Sequence, residues 1–357
     1  MTVDDLIRRP GAWLLTDAGP DTEIAVSARI RLARNLRQAA FPSWAGEEEC
    51  VRILNRLRPA VESLPFLDGA WGWEMSELDP VDREILCERH LISSELASRN
   101  RGSAVVLRSD ESLSVMINEE DHLRLQVMRP GANLMGLWEE IDAFDTALSE
   151  LVPYAFSPEL GYLTACPSNV GTGLRASVMV HLPALRLMRE VEPVVKGLNK
   201  IGLAVRGIGG EGTEAMGNMF QVSNQMTLGE GEIDLIRRLE AVVQELTTHE
   251  RNARARLQEK HPARLRDFVG RAFGILMQAH ILNSQEALDL LSALRLGIEM
   301  DLVRSMGGGE LNRLMQSILP GHLQRQARRD LPVEDRDQLR AMMVRERLKE
   351  AGAEPAF

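Results

Sequence analysis

The stretch Cys166-Pro167-Ser168-Asn169-Val170-Gly171-Thr172-Gly173-Leu174-Arg175-Ala176-Ser177-Val178 changes character part-way along. Its first half is small and glycine-bearing. Gly171 and Gly173 permit backbone turns that other residues resist, and Ser168 and Thr172 leave room for a ligand to approach the amides. From Leu174, the residues Leu174, Ala176, Val178, Val180 and Leu182 alternate with Arg175, Ser177, Met179 and His181. Period two is the signature of a strand with one buried face. Arg175 therefore opens a strand on the side away from the apolar set, where a rigid backbone can aim a guanidinium at phosphate oxygens. A surface arginine following a loop is the plainer alternative. A thiol, a glycine-rich turn and an aimed arginine so close together suit chemistry on phosphate.

Outward from this stretch, residues 22–229 read as short strands mixed with helices. Ala104 to Leu107 and Leu113 to Asn118 form a predicted strand pair joined through Ser109-Asp110, and Leu123 to Met128 continues as a third strand. Strands that follow one another through short links favour an antiparallel sheet. Apolar residues at spacings of three and four predict helices at Glu47 to Leu64, Pro80 to Leu91 and Leu134 to Leu151. A long helix is predicted from Glu230 to Leu257, with Ile233, Ile236, Leu239, Val242, Val243 and Leu246 along one side. Nothing beyond it resembles a strand. Asn283 with Glu286 marks a helix start and Gly297 a stop for Ser284 to Leu296. Further helices are expected at Leu311 to Leu319 and Pro332 to Lys349. The fold class is α+β, with an N-terminal segment (1–22), a mixed domain on an antiparallel sheet (23–254) and an all-helical C-terminal domain (255–357).

Bulk properties narrow the function. The chain has 357 residues, 44% hydrophobic and 26% charged, enough for two domains of usual size. Its net charge of −10 argues against nucleic acid or an anionic membrane as general partners, so any arginine cluster is local. No basic segment followed by an apolar core opens the sequence, and no apolar run reaches membrane-spanning length, so a cytoplasmic location is expected. Cys50, Cys87 and Cys166 are an odd set without metal-site spacing. Cys50 and Cys87 sit in apolar helical contexts and read as core. Cys166, in the glycine-rich loop, is the thiol with a predicted function.

Three more segments carry charge in patterns that chemistry could use. Ser27-Ala28-Arg29-Ile30-Arg31 places two arginines on one side of an extended chain. Asn118-Glu119-Glu120-Asp121-His122-Leu123-Arg124 crowds three carboxylates, which repel one another unless a metal or a guanidinium lies between them. Arg206-Gly207-Ile208-Gly209-Gly210-Glu211-Gly212-Thr213-Glu214 is a glycine-rich loop with an arginine and two carboxylates, suited to a lid. Taken singly, each also fits a solvated surface. Taken together they fit phosphoryl transfer, which needs cations around the phosphates and a carboxylate to orient the nucleophile. No Gly-x-x-x-x-Gly-Lys-Ser/Thr loop and no His-Arg-Asp kinase signature is present, so a phosphate site here must be built of arginines.

These segments, in this order over roughly Glu23 to Arg254, resemble the ATP:guanido phosphotransferases, the phosphagen-kinase family of creatine and arginine kinases. The matching motifs are Ser-x-Arg-x-Arg, Asn-Glu-Glu-Asp-His-Leu-Arg, Cys-Pro-Ser-Asn-x-Gly-Thr and Gly-Glu-x-Thr-Glu. The resemblance implies a phosphagen-kinase-type catalytic domain that uses ATP with Mg²⁺, with no protein side chain ligating the metal. It implies that ATP lies along Ser27, Ala28, Arg29, Ile30 and Arg31, beside His90 and Arg124, along Arg175, Ala176, Ser177, Val178 and Met179, and under Arg206, Gly207, Ile208, Gly209, Gly210 and Glu211. It further implies that Glu120 and Glu214 clamp the acceptor guanidinium, with Cys166 beside it as a thiolate and no covalent intermediate. An arginine side chain is protonated near neutral pH, so two carboxylates would hold it and bias one nitrogen towards attack.

Creatine-type enzymes carry a helical domain ahead of the Ser-x-Arg-x-Arg segment, whereas here 26 residues precede Ser27 and the helices follow. That order is similar to the bacterial branch that phosphorylates arginine side chains of proteins and marks them for Clp-type degradation. Arg336-Asp337-Gln338-Leu339-Arg340-Ala341 matches that branch's Arg-Asp-x-x-Arg-Ala motif, which implies allosteric phosphoarginine binding by Arg336, Asp337, Arg340 and Ala341. An exposed charged helix is the alternative for this piece. Gly209 stands where small-molecule kinases place another phosphate-contacting arginine, which fits a site open to a bulkier substrate. The implied partners are arginine-containing proteins, an activator protein, Clp machinery and a second copy in a homodimer. A kinase of free arginine or another small guanidine is the competing enzyme reading, and a non-catalytic phosphoarginine-binding adaptor the competing reading of another class.

Overall fold

A computed structural model describes residues 2–14, 21–67, 69–207, 215–304 and 306–357. The strands, in chain order, are β1 (Ala25–Arg34), β2 (Trp71–Glu74), β3 (Ala104–Leu107), β4 (Leu113–Ile117), β5 (Leu123–Pro130), β6 (Phe156–Ser157), β7 (Gly161–Tyr162), β8 (Leu174–His181), β9 (Leu203–Gly207) and β10 (Met219–Asn224). All except β6 and β7 join one eight-stranded sheet in the order β2-β3-β4-β5-β1-β8-β10-β9. Every neighbouring pair is antiparallel, as the short links of the sequence led us to expect. β6 and β7 form a separate hairpin.

Strict alternation makes this sheet two-faced. Ala28, Ile30 and Leu32 of β1 and Leu174, Ala176, Val178 and Val180 of β8 are buried on one face. Helices Glu47–Glu62, Leu134–Leu151 and Glu232–Lys260 pack on that side, filling the core with Leu57, Phe144, Leu239 and Leu246. Phe66 meets Phe144 edge to face, with ring centroids 5.7 Å apart. On the other side of β2, β3 and β4, a smaller apolar cluster of Trp71, Met75, Ile85, Leu86, Val105 and Met116 anchors helix Pro80–Glu88.

The long helix expected from Glu230 runs over Glu232–Lys260, so the expected boundary at 254/255 falls inside one unbroken element. Buried residues continue across it, from Val178 and Leu246 to Leu265, Leu291 and Val344. The chain then forms helices Pro262–Gln278, Ser284–Glu299, Gly308–Ser317, Pro320–Ala327 and Val333–Glu350. Asn283 caps its helix as expected, its Oδ1 accepting from the Glu286 amide at 2.9 Å. Gly297 does not end that helix, because it is needed for packing: a Cβ there would lie 2.5 Å from Val269 Cγ1. The predicted helix to Leu91 ends at Glu88, followed by His90 at φ +59°. Two short strands, Val303–Arg304 and Glu354–Pro355, pair in a region where none was expected, and the Ala356 amide donates to the Leu302 carbonyl beside them.

Buried charge ties the helices to the sheet domain. The Glu250 carboxylate accepts from the Ala184 and Leu185 amides, each at 3.0 Å, and from Arg254 Nε at 2.9 Å. Arg254 and Arg295 both reach Glu299, at 2.9 and 2.7 Å. Arg295 also donates to the Thr22 carbonyl at 2.9 Å. No helix among the described residues is long and apolar enough to cross a membrane.

Candidate active site

The polar face of the sheet gathers five arginines from four strands. Register sets Arg31 opposite Arg175 of β8 on one side and Gln126 of β5 on the other, Ala33 opposite Arg124, and Arg206 of β9 opposite Gln221 of β10. Arg29, Arg31, Arg124, Arg175 and Arg206 thereby line one cleft of about 380 Å³, closed at one end by Glu120, Cys166, Ser168 and Asn169. A second lobe of about 250 Å³ shares Arg29, Arg206 and Gln221 and adds Ser27, His90, Met128, Ser177, Met179 and Gly207. Ala28, Ile30, Ala176 and Val178, expected along the same path, point their side chains into the core on the opposite face. Any contact they make with a ligand in the cleft is through backbone.

Crowding shapes the electrostatics. Burial, then the Arg175 and Arg124 charges, lower the Arg29 pKa to about 10. Burial, with Arg29, Arg124 and Arg175 around it, puts Arg31 well below its ordinary value. Arg175 is lowered by burial and then by Arg206 and Arg124. Among the described residues the Nε atoms of Arg31 and Arg175 are buried without a hydrogen-bond partner. Donors and charges set against one another in this way fit a polyanion with several acceptor oxygens. His90 is fixed by Gln126, whose Nε2 donates to its carbonyl at 2.7 Å, and by Trp13, 4.9 Å away between ring centroids. Burial, then Arg29 and Arg31, push its pKa down to about 3, leaving the imidazole neutral.

The three crowded carboxylates separate by task. Glu119 is fully buried and pairs with Arg124 and the Ser93 hydroxyl. Asp121 turns inward, accepting from Asn35 Nδ2 at 2.6 Å and the Ala165 amide at 2.7 Å. Burial raises its pKa against those bonds. Glu120 alone of the three lines the cleft, held by Arg124 at 3.2 Å. The cation that the sequence demanded is thus a guanidinium. His122 accepts at Nδ1 from the Leu36 amide at 3.1 Å and its Nε2 faces the Ala40 carbonyl at 2.9 Å, which fixes the tautomer with the proton on Nε2.

The Cys166 loop is held from both sides. Cys166 Sγ lies 3.0 Å from Ser168 Oγ. Gly171 (φ +112°) and Gly173 (φ +64°) sit where a Cβ would meet the Thr227 carbonyl at 2.3 Å and the Ala33 carbonyl at 2.7 Å, so both glycines serve close backbone approach. Thr227 Oγ1 contacts the Ser168 and Val170 carbonyls at 2.9 and 2.7 Å, donating its one proton between them. Beneath the loop, buried Arg34 donates to Asp145 Oδ2 from Nε at 3.0 Å and from a terminal nitrogen at 2.7 Å, and to the Thr172 and Ala33 carbonyls at 2.9 Å. Sequence reasoning missed Arg34, Gln126 and Asn35. The signal for Arg34 was its place in the apolar phase of β1, where an arginine requires a buried anion.

Glu214, with Ile208, Gly209, Gly210 and Glu211, lies outside the described residues. In the C-terminal motif, Arg340 is buried and donates to the Ile318 and Leu282 carbonyls at 3.0 and 2.7 Å while pairing with Asp337. Ala341 is buried in the core. Arg336 is half-buried, and its charge opposes the rise in pKa that burial and Glu88 impose on Glu84 of helix Pro80–Glu88.

An arginine-walled cleft on an antiparallel sheet, with a carboxylate and a thiol at one end, defines a phosphotransferase of the guanidine-using class. Residues 55–253 match the ATP:guanido phosphotransferase C-terminal catalytic domain, and the chain belongs to the ATP:guanido phosphotransferase family. Residues 262–356 match the Protein-arginine kinase McsB C-terminal domain. The protein-arginine kinase of Moorella thermoacetica is 49% identical over 346 residues, 96% of this chain and 98% of its own length. That of Brevibacillus brevis is 41% identical over 351 residues, 98% of each. Within its family this chain stands with the protein-arginine kinases. Among solved structures, lombricine kinase has a TM-score of 0.59 at 26% identity, covering 68% of this chain and 70% of its own. The substrate-free duplicated taurocyamine kinase from Schistosoma mansoni has a TM-score of 0.57 at 25% identity, covering 72% and 39%.

Proposed function

We propose that this chain transfers the γ-phosphoryl group of ATP to arginine side chains of proteins, with the roles of individual residues as follows. The observation that carries the reading is the continuous face of Arg29, Arg31, Arg124, Arg175 and Arg206 ending at Glu120 and Cys166. The arginines bind the phosphate oxygens, and the lobe at Ser27, His90, Ser177 and Met179 takes the nucleoside. Mg²⁺ bound with ATP would supply charge neutralisation at the phosphates, beside these arginines. Glu120, with Glu214 from the lid segment, orients the acceptor guanidinium, and Cys166 lies beside it. A guanidine nitrogen forms the new P–N bond as the bond from the γ-phosphorus to the ADP oxygen breaks. The proton released from that nitrogen passes to a carboxylate or to solvent. Catalysis is then positioning plus electrostatic stabilisation.

The functional division into residues 1–22, 23–254 and 255–357 follows the same reading, the last two parts sharing helix Glu232–Lys260, with the C-terminal part recognising phosphoarginine and joining two copies. In that motif Arg336 is the recognising cation and Arg340 positions the helix. Clp-type machinery as the consumer of the product, and an activator protein, belong to the proposal as well. The test is mass spectrometry under acid-free handling after incubation with ATP-Mg²⁺, using an arginine-rich protein and free arginine side by side. Phosphoarginine on the protein is the expected result. Product from free arginine alone would shift the assignment to a metabolite kinase, and no product from either would refute the transfer.

A further inference from the structure

We infer that the acceptor end of the cleft carries an apolar rim that binds the residues flanking the target arginine, favouring an extended polypeptide segment with large apolar residues two and three positions from it. The inference rests on the proposed transfer to protein arginine. Four large apolar side chains stand well exposed around the Cys166 loop: Phe156 (57%), Leu160 (47%), Met226 (67%) and Leu228 (50%). Their attachment to that loop is direct. The Phe156 ring packs on Tyr162 at 5.2 Å, and the Tyr162 amide donates to the Gly171 carbonyl at 2.8 Å. Met226 and Leu228 flank Thr227, whose hydroxyl contacts the Ser168 and Val170 carbonyls and whose own carbonyl accepts from the Thr172 amide at 2.9 Å. Ser168 and Asn169 line the cleft beside Cys166, at the end away from His90 and Met179. Trp44 stands exposed on the segment whose Ala40 carbonyl meets His122, two residues from Glu120.

Two observations identify the occupant. An arginine borne on a polypeptide cannot enter the Cys166 end without laying its own chain across the mouth. Residues two and three positions from it would then lie roughly 7–10 Å along the rim in an extended segment. The rim is also nearly uncharged. Between Glu150 and Arg175 the sole charged residue is Glu159, and Asn224 to Gly229 has none. Such a surface distinguishes acceptors by apolar contact rather than by charge.

The test compares two peptides with a single arginine, differing only in leucine or serine two and three positions either side, at saturating ATP-Mg²⁺. The native enzyme should show a KM for the leucine peptide at least about tenfold lower, the ratio for burying one leucine-sized side chain. Replacing Phe156, Leu160, Met226 and Leu228 together by serine should bring the ratio near one, leaving the KM for ATP and turnover of the serine peptide unchanged. A competition assay needs no variant: the leucine peptide with lysine in place of arginine should inhibit phosphorylation of the serine peptide, and its serine counterpart should not. Equal KM values in the native enzyme, a preference surviving in the folded variant, equal inhibition by both lysine peptides, or phosphorylation of unfolded proteins but of neither peptide would each overturn the rim. Absence of phosphoarginine on every peptide and protein would instead refute the transfer on which it rests.

Discussion

Replacing Asp145 by asparagine isolates the buried ion pair beneath the active-site loop. Arg34 is 1% exposed, and both nitrogens it turns on Asp145 bond to the same oxygen, at 3.0 and 2.7 Å. An amide keeps the shape and one acceptor oxygen but removes the charge, leaving a guanidinium in the interior with no anion, against carbonyl oxygens and the rings of Tyr162 and Tyr154, 3.5 and 6.0 Å away. Breaking such a pair from one side costs about 3–5 kcal/mol. Arg34→Met strands the carboxylate instead, at a similar cost of about 3–5 kcal/mol. The double variant Arg34→Met/Asp145→Leu strands neither charge; its remaining cost is the donor lost by the Ala33 and Thr172 carbonyls, about 1–3 kcal/mol in all. With Asp145→Leu completing the cycle as the second single, at about 3–5 kcal/mol, the two single losses should exceed the double by at least ~3 kcal/mol, a coupling readable from urea midpoints at pH 7. Arg34→Met should also lower turnover in the folded enzyme, because Thr172 belongs to the loop that carries Cys166. Additive losses, or an Asp145→Asn cost below about 1 kcal/mol, would refute the reasoning.

Other perturbations separate fold from chemistry. Glu120→Gln should leave stability within about 1 kcal/mol, since it removes one partly exposed pairing with Arg124, and should reduce transfer at least ~100-fold; unaltered turnover would remove Glu120 from the mechanism. Arg175→Ala should weaken ATP binding by about 1.5–3 kcal/mol in calorimetry, and an unchanged affinity would contradict its place in the phosphate site. His90 is held near pKa 3 by burial and then by Arg29 and Arg31, whereas an unfolded imidazole titrates at about 6.5. Between those values the unfolded chain takes up a proton that the folded site refuses, so this residue lowers stability as pH falls across that window. Arg31→Met should raise the His90 pKa in an NMR titration, and a fall would overturn the electrostatic account. Arg340→Met should destabilise by about 2–5 kcal/mol as buried carbonyls and Asp337 lose their partner, while Arg336→Ala should keep the midpoint and change the response to phosphoarginine. Equal midpoints for the two variants would mean that Arg340 does not hold the helix.

What the sequence disclosed follows from the range over which each signal acts. Period-two alternation is local, so β1 and β8 and the side each arginine takes could be read before any coordinates. The same rule, carried three residues further, would have flagged Arg34. Partner choice is not local. Which of Glu119, Glu120 and Asp121 faces the cleft depends on Ser93, Asn35 and Ala165, which reach the cluster from other parts of the chain. Gly297 read as a stop because glycine is the favoured residue just past a helix end, yet Val269 on the preceding helix left no room for a side chain there. The motif 336–341 read as one recognition unit, but Arg340 spends its donors on Leu282 and Ile318, carbonyls far from it in sequence.

Burying arginines side by side on one sheet face is unfavourable by itself, as the pKa values of Arg29, Arg31 and Arg175, lowered first by burial and then by neighbouring arginines, record. The sheet tolerates it because the opposite face buries an unbroken apolar layer against three long helices, and because Arg124 is compensated locally by Glu119 and Glu120. Arg29, Arg31 and Arg175 make no ion pair among the described residues, with only a minor opposing effect of Glu119 on Arg31 and of Cys166 on Arg175, and Arg31 and Arg175 keep buried donors free. The cleft is therefore graded, from a compensated end at Arg124 and Glu120 to an uncompensated stretch along β1 and β8. A polyphosphate gains most on the uncompensated stretch. A cationic guanidinium is repelled there and favoured at Glu120. Under the proposed transfer, the same charge distribution would hold the nucleotide along β1 and β8 and direct the acceptor to the Cys166 end, so the orientation of the two substrates would follow from the sheet's register.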